Sequence, residues 1–136
     1  MAAERGFTIE VTSRYDGFWR YNTALTCGCF DAAGNRSGFA AASSHVADVG
    51  AELSAAPHDL PRDRTTRLAT GPCARIDCFL YVVPHTLPRD NDIDATRPFD
   101  LEVRIAYGGR PIRTERHAIN QWSGASIELK AEADER

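Results

Sequence analysis

The run from Phe99 to Ile119, FDLEVRIAYGGRPIRTERHAI, decides the fold class. Its first half alternates between polar residues and four apolar residues: Leu101, Val103, Ile105 and Tyr107. This period of two is typical of a β-strand with one buried face. The Gly108-Gly109 pair that follows is a strong signal for a two-residue hairpin turn. We therefore predict two antiparallel strands, Phe99–Tyr107 and Pro111 to about Ile119.

Similar patterns extend over the rest of the chain. Runs with β-branched or aromatic residues, bounded by turn residues, predict strands at Phe7–Ser13, Phe18–Phe30, Phe39–Ser43, Arg67–Thr70, Arg75–Val83 and Ser126–Leu129. The run Arg75–Val83 is largely apolar on both faces, so we place that strand centrally. Residues Val46, Val49 and Leu53 lie at near-helical spacing and predict one short helix near residues 44–56, although Gly50 weakens it.

About seven short strands, with long connections between some of them, indicate an all-β fold. We predict an antiparallel β-sandwich of C2-like or immunoglobulin-like architecture, with a closed barrel as the alternative. A chain of 136 residues fits one domain of ordinary size, so residues 1–136 are assigned to a single β-sandwich domain.

Composition and charge exclude several classes of partner. The chain has 16 basic and 19 acidic residues, well mixed, and a net charge of -3, which gives no field that would attract nucleic acid. No apolar run reaches the length of about 18 residues that a membrane span needs. The first residues lack the apolar centre of a signal peptide, so we expect a cytoplasmic protein. Its four cysteines are then expected to be thiols rather than disulfides.

The proline-rich segment 88–100 contains the most pointed candidate for a ligand site. Three aspartates occupy alternate positions there: Asp90, Asp92 and Asp94. Calcium takes several oxygen ligands from a flexible loop, so this spacing predicts a calcium site. The EF-hand pattern is not met, because Ala95 stands where glycine is needed and Leu101 where a glutamate is needed. The favoured interpretation is a solvated connection that proline stiffens, with the calcium site as the alternative.

The cysteines and histidines fit known catalytic or zinc patterns poorly. Cys27 and Cys29 are two apart, and Cys73 and Cys78 are five apart, whereas zinc knuckles usually have two residues between ligands. Inert packing in the core is therefore the favoured interpretation. A cysteine nucleophile also needs a histidine within hydrogen-bond reach. The four histidines are scattered, and we predict surface positions for all of them: His45, His58, His85 and His117.

Two tryptophans are the candidate residues for binding a partner. Trp19 lies in an aromatic cluster, and Trp122 lies alone among polar and glycine neighbours. Exposed aromatic side chains can anchor a protein partner or stack on a sugar. The favoured interpretation is that both close the ends of the sandwich. Of the two, we expect Trp122 to be the more exposed.

These observations lead to a non-enzymatic binding or assembly module that acts through protein–protein contacts and forms homo-oligomers. Edge strands offer one route to such self-association. The first alternative is a β-sandwich that binds calcium or a small ligand through the acidic segment 88–100. A cysteine- or zinc-dependent enzyme is the second alternative. No cofactor is expected, apart from the calcium of the first alternative.

Overall fold

The computed structural model describes residues 4–61, 64–88 and 96–135. Within them, eight strands form two antiparallel four-stranded sheets packed together, which confirms the predicted β-sandwich rather than a closed barrel. The strands are β1 (Phe7–Thr12), β2 (Tyr21–Phe30), β3 (Arg36–Ser44), β4 (Thr66–Ala69), β5 (Arg75–Pro84), β6 (Phe99–Tyr107), β7 (Arg110–Ile119) and β8 (Ala125–Glu132). The first sheet has the order β4-β1-β6-β7 and the second the order β3-β2-β5-β8.

The predicted hairpin joins β6 to β7 through a two-residue turn. Gly108 and Gly109 have φ angles of 57° and 85°, which side-chain-bearing residues rarely adopt. Two consecutive positive φ angles match the twist of the flanking strands, so the turn sets their register. Tyr107 therefore pairs with Arg110 beside the turn, and a one-residue register shift between Ile105 and Ala106 brings Phe99 opposite Ile119 at the far end of the hairpin.

The core lies between the inner faces of the two sheets. Alternate residues of the strands are buried there, as the period-two patterns predict. The largest fully buried aliphatic side chains come from both sheets: Ile9, Leu25, Ile76, Leu80, Leu101, Ile105, Ile119 and Leu129. Burying each such side chain contributes about 1.5–3 kcal/mol, so this core is the main source of stability.

The predicted helix near residues 44–56 is wrong. Strand β3 runs to Ser44, and residues 45–56 form turns and extended chain. Gly50 and Glu52 have φ angles of 89° and 49°, both incompatible with a continuous right-handed helix. The side chain of Asn22 holds this segment in place, because its Oδ1 accepts from Val46 N at 2.7 Å and its Nδ2 donates to the Ala47 carbonyl at 2.7 Å.

The predicted strand Phe18–Phe30 begins later than expected. Residues Asp16–Arg20 form a 3-10 turn, and β2 starts only at Tyr21. The buried Tyr21 hydroxyl donates to the Gln121 carbonyl at 2.7 Å, and the Tyr15 hydroxyl donates to Gln121 Oε1 at 3.0 Å. These bonds tie the turn before β2 to the connection between β7 and β8.

The expectation that the four cysteines are thiols is wrong for one pair. Cys27 and Cys78 lie directly opposite each other on β2 and β5, with Cα atoms 4.1 Å apart, and form a disulfide. Spacing along the chain could not reveal this pair, because it depends on the register between two strands. Cys29 and Cys73 are free and buried, as the core-packing interpretation predicts.

Candidate functional site

The outer faces of the two sheets differ in chemistry. The first sheet turns polar and charged side chains outward, among them Glu10, Arg67, Glu102, Arg104 and Arg116. The second sheet turns large apolar side chains outward: Phe39 (63% exposed), Phe79 (41%), Tyr81 (39%) and Val83 (38%). We call this outer surface of the sheet β3-β2-β5-β8 the open face. Contiguous exposed apolar surface of this kind marks interaction sites in soluble proteins.

The open face originates in β5, the strand that is apolar on both sides. The structure places β5 between β2 and β8, which confirms its predicted central position in a sheet. Its inner residues Ile76, Leu80 and Val82 are buried in the core, as is Cys78. Its outer apolar residues remain partly exposed, because no described element of the chain covers them. The sequence of β5 therefore contains the signal for the open face, but two apolar sides by themselves predict only a central strand.

The open face has a ridge beside a groove. The ridge consists of Phe79, Tyr81 and Val83 on β5. The groove consists of Ala24 and Thr26 on the neighbouring strand β2. In the strand register Phe79 lies opposite Thr26, and Tyr81 lies opposite Ala24. Side chains on adjacent strands stand side by side, so the larger ones project beyond the smaller ones.

One end of the open face carries most of its charge. Arg36, Phe30, Arg75 and Glu132 form one row across the four strands β3, β2, β5 and β8. The Arg75 guanidinium lies 4.6 Å from the centre of the Phe30 ring, a cation–π distance. Arg36 stands at the β3 edge of the sheet and Glu132 at the β8 edge, so the two opposite charges are separated by the whole width of the face.

Asp77 lies on the open face one row in from this charged end. Its Oδ1 atom is buried and has no hydrogen-bond partner in the described part of the chain. Buried carboxylate oxygens normally accept hydrogen bonds, and leaving one without a donor costs stability.

The two candidate tryptophans lie in different environments. Trp122 is 37% exposed in the turn between β7 and β8, where its backbone N–H donates to Asn120 Oδ1 at 2.8 Å. Gly124 closes this turn with a φ angle of 69° and packs against the Val82 backbone at the end of β5. Trp19 is half-buried in the 3-10 turn, with its ring centre 6.4 Å from that of His85. The turn thus holds Trp122 near the end of the ridge strand, whereas Trp19 is part of a packed cluster.

The predicted calcium ligands cannot be placed. Asp90, Asp92 and Asp94 lie outside the described residues. Among residues 4–61, 64–88 and 96–135, no three histidine, cysteine, aspartate or glutamate side chains come together in a group that could hold a metal ion. The calcium site therefore stays a prediction from the sequence.

The prediction of surface positions is wrong for one histidine. His85 is buried, with Nδ1 2.8 Å from Thr86 Oγ1 and Nε2 2.7 Å from the Trp19 carbonyl. Both ring nitrogens are engaged with neighbours, so this histidine holds the 3-10 turn against the end of β5. His117 is half-buried beside Glu115 at 2.9 Å. His45 and His58 are exposed, as expected.

The two free cysteines have the properties of inert core residues. Cys29 and Cys73 are both buried, and the Cys73 thiol lies 3.7 Å from Thr70 Oγ1. Burial raises the pKa of the Cys73 thiol, and the neighbouring Cys29 raises it further. Because the thiolate is the reactive form, this environment disfavours nucleophilic chemistry.

A cleft at one end of the first sheet is a feature that sequence reasoning missed. Its volume is about 540 Å³, and it lies between the segment after β1 and the start of β6. Three arginines, Arg14, Arg97 and Arg116, line it together with Asp100 and Glu102. No local sequence pattern could have indicated it, since the three arginines come from separate parts of the chain.

The described residues define an eight-stranded antiparallel β-sandwich in which one outer face is polar and the other combines the apolar ridge on β5 with charged side chains on β8. A scan against protein-family models finds no match, and a search of curated proteins finds none either. Among solved structures, the chain is similar to a domain of unknown function, DUF4425, from Bacteroides vulgatus. The TM-score is 0.52 at 9% identity, with 97% of this chain and 98% of that chain covered. This likeness supports the fold alone.

A second solved structure is a DUF4425 family protein from Bacteroides ovatus. It has a TM-score of 0.46 at 8% identity, with 94% of this chain and 93% of that chain covered. No helix in the described ranges is both long enough and apolar enough to cross a membrane.

Proposed function

We propose that this protein is a non-enzymatic binding or assembly module that contacts another protein through the open face. The observation that carries the proposal is the exposed ridge of Phe79, Tyr81 and Val83 on a sheet whose opposite side forms the core. Large aromatic side chains at the centre of a contact surface dominate the binding energy of many protein interfaces. The polar outer face of the first sheet is the comparison within the same chain, because its outward side chains are those typical of a solvent-exposed surface.

Tyr81 is the residue on which the proposal depends most. It lies in the middle of the ridge, next to the small residues of the groove, and can bury its ring while its hydroxyl reaches a polar partner. Substitution of such a central anchor typically costs at least about 2 kcal/mol of binding energy, which is about a 30-fold loss of affinity. Because the side chain is already partly exposed, the same substitution should leave the fold intact.

The experiment is a pull-down from source cells with tagged wild-type protein and the Tyr81→Lys variant, quantified by mass spectrometry. The matched control is Thr114→Lys, which places the same charge at an exposed position on the outer face of the first sheet. We expect wild type and the control to retain a common bound protein that Tyr81→Lys loses. An unchanged set of bound proteins in all three samples would contradict the proposal.

A second candidate function is the binding of a small anionic ligand in the arginine-lined cleft. The specific observation is that three arginines, Arg14, Arg97 and Arg116, outnumber the two carboxylates, Asp100 and Glu102, in the lining of one cavity of about 540 Å³. Guanidinium groups bind carboxylates and phosphates in a bidentate manner. Thermal unfolding with inorganic phosphate and with succinate tests this function. A rise in Tm that Arg116→Ala abolishes would support it, and no shift at millimolar concentration would count against it.

Calcium binding by the acidic segment 88–100, the alternative that the sequence predicts, has its own test. Calcium at millimolar concentration should raise the Tm of wild type if the segment 88–100 binds it, and Asp92→Ala should remove that rise. Magnesium provides the control, because a loop selective for calcium binds the smaller ion less well. Identical Tm values with and without calcium would exclude a calcium site of useful affinity.

The cytoplasmic location also stays a prediction. The Cys27–Cys78 disulfide argues against it, because most disulfides persist in oxidising compartments. The oxidation state of Cys27 and Cys78 can be measured by rapid trapping of thiols in source cells with an alkylating reagent, followed by mass spectrometry. Recovery of Cys27 and Cys78 as alkylated thiols would support the cytoplasmic prediction.

A further inference from the structure

We infer that the partner of the open face is a second copy of this chain, packed face to face about a two-fold axis that runs along the strands between β2 and β5. The inference rests on the proposed function and names the partner. It follows from the strand order of the second sheet, from the sizes of the side chains on its two central strands, and from the placement of charge at its edges.

The strand order determines which residues meet. A two-fold axis along the strands, midway between β2 and β5, places β5 of one copy over β2 of the other and β3 of one copy over β8 of the other. The ridge of each copy then enters the groove of its partner. Phe79 faces Thr26 of the second copy, and Tyr81 faces Ala24 of the second copy. Each large side chain meets a small one, which is the complementarity that an isologous contact requires.

At the charged end of the open face, the same axis brings opposite charges together. Arg36 on β3 faces Glu132 on β8 of the second copy, and by symmetry the reverse pair forms as well. Arg75 faces Phe30 of the second copy, so the cation–π contact already present within one chain continues across the contact.

The open face is large enough for a stable dimer. Four strands at a spacing of about 4.8 Å and a length of about 30 Å give a projected area of about 570 Å² per copy, or about 1,100 Å² in total. Stable interfaces begin at about 1,000 Å² of total buried area. The axis along the strands keeps the two sheets aligned, so that the charged end lies within this area together with the ridge and the groove.

Sedimentation equilibrium over a concentration series tests the inference. We expect wild type to have twice the chain mass of 15.0 kDa, and Tyr81→Lys to be a folded monomer, with a dissociation constant raised at least about 100-fold. Thr114→Lys is the matched control and should remain dimeric. Unchanged circular dichroism and Tm in Tyr81→Lys show that the fold is intact.

Charge reversal identifies the axis. Arg36→Glu and Glu132→Arg should each raise the dissociation constant about tenfold, because each creates two like-charge contacts in a symmetric dimer. The double variant should return to within about threefold of wild type. The two residues lie on opposite edges of one sheet, so such rescue cannot arise within a chain. Arg104→Glu makes the same charge change on the polar face and should have no effect.

Three outcomes would overturn the inference in distinguishable ways. A wild-type protein that stays monomeric at all concentrations excludes a second copy, and loss of a bound protein by Tyr81→Lys in the pull-down would then leave the proposed function standing. A dimer that survives Tyr81→Lys uses another surface, such as a sheet edge. If Tyr81→Lys loses the dimer but the double variant does not rescue it, the open face is still the contact surface, and the proposed axis is excluded.

Discussion

Removal of the Cys27–Cys78 disulfide is a direct test of how the second sheet is held together. The bond joins β2 to β5, the two central strands of that sheet, across 51 residues of sequence. Closing a loop of this length removes conformational entropy from the unfolded chain and so raises the free energy of unfolding. Breaking the bond should therefore lower the free energy of unfolding by about 4 kcal/mol, on the chain-entropy relation. The native state loses little, because the two thiols still face each other in the core.

This loss is large compared with the total stability of an ordinary domain, about 5–15 kcal/mol. With a urea dependence of about 2 kcal/mol per molar, it corresponds to a midpoint that is lower by about 2 M in the reduced protein. The cross-linked unfolded chain is also more compact, so the oxidised protein should have the smaller urea dependence.

The assay is urea unfolding followed by the fluorescence of Trp19 and Trp122. Because the bond is buried, the protein is reduced in denaturant and refolded with reductant present. The Cys27→Ala/Cys78→Ala variant should not respond to reductant, and Cys29→Ala/Cys73→Ala should respond as wild type does. Equal midpoints for the oxidised and reduced protein would refute the entropic argument. Four alkylatable thiols in protein that has never been reduced would refute the bond itself.

Three further predictions concern single residues. Burial raises the pKa of Tyr21, so above about pH 10 only the unfolded state ionises at this residue. The free energy of unfolding should therefore be intact below about pH 10 and fall as the pH rises above it. In urea titrations at about pH 8 and about pH 10.5, Tyr21→Phe should show a smaller fall than wild type. Gly124→Ala should cost about 2–4 kcal/mol because its Cβ would overlap the Val82 carbonyl, whereas Gly50→Ala, also at positive φ but in open space, should cost less. The Cys73 thiol should resist a disulfide reagent in native protein and react on unfolding, and fast native labelling would contradict its burial.

Most of the sheet framework could be predicted from local patterns. The alternation in β6 and the glycine pair after it gave both strands of the hairpin nearly to the residue, because period-two burial and positive φ are local properties. The 3-10 turn at Asp16–Arg20 and the irregular path of residues 45–56 were missed. Long-range contacts fix both segments, through His85 for the first and Asn22 for the second.

The candidate site was less predictable than the fold, for a physical reason. The alternation of Phe79 and Tyr81 with buried residues shows that β5 has two apolar sides, but it does not say what covers the second side. The same sequence pattern is expected for two kinds of central strand: one in a sheet covered on both faces, and one in a sandwich whose outer face is open. Only the arrangement of the other elements distinguishes them, and in the described residues no element packs on the outside of β5.

The two outer faces of the sandwich differ in their side chains, and this difference bears on the proposed function. β6 and β5 are both inner strands of their sheets, and both bury apolar residues on the core side. The outward residues of β6 include Glu102 and Arg104, which pair with each other at 3.0 Å and suit a solvated surface. Those of β5 include Arg75 and Asp77 at one end, but the other three are Phe79, Tyr81 and Val83, which gain nothing from exposure to water. Core packing requires only the inner residues, so the apolar outer side chains of β5 are not explained by the stability of the isolated chain. They are the observation that supports the proposed contact with another protein surface.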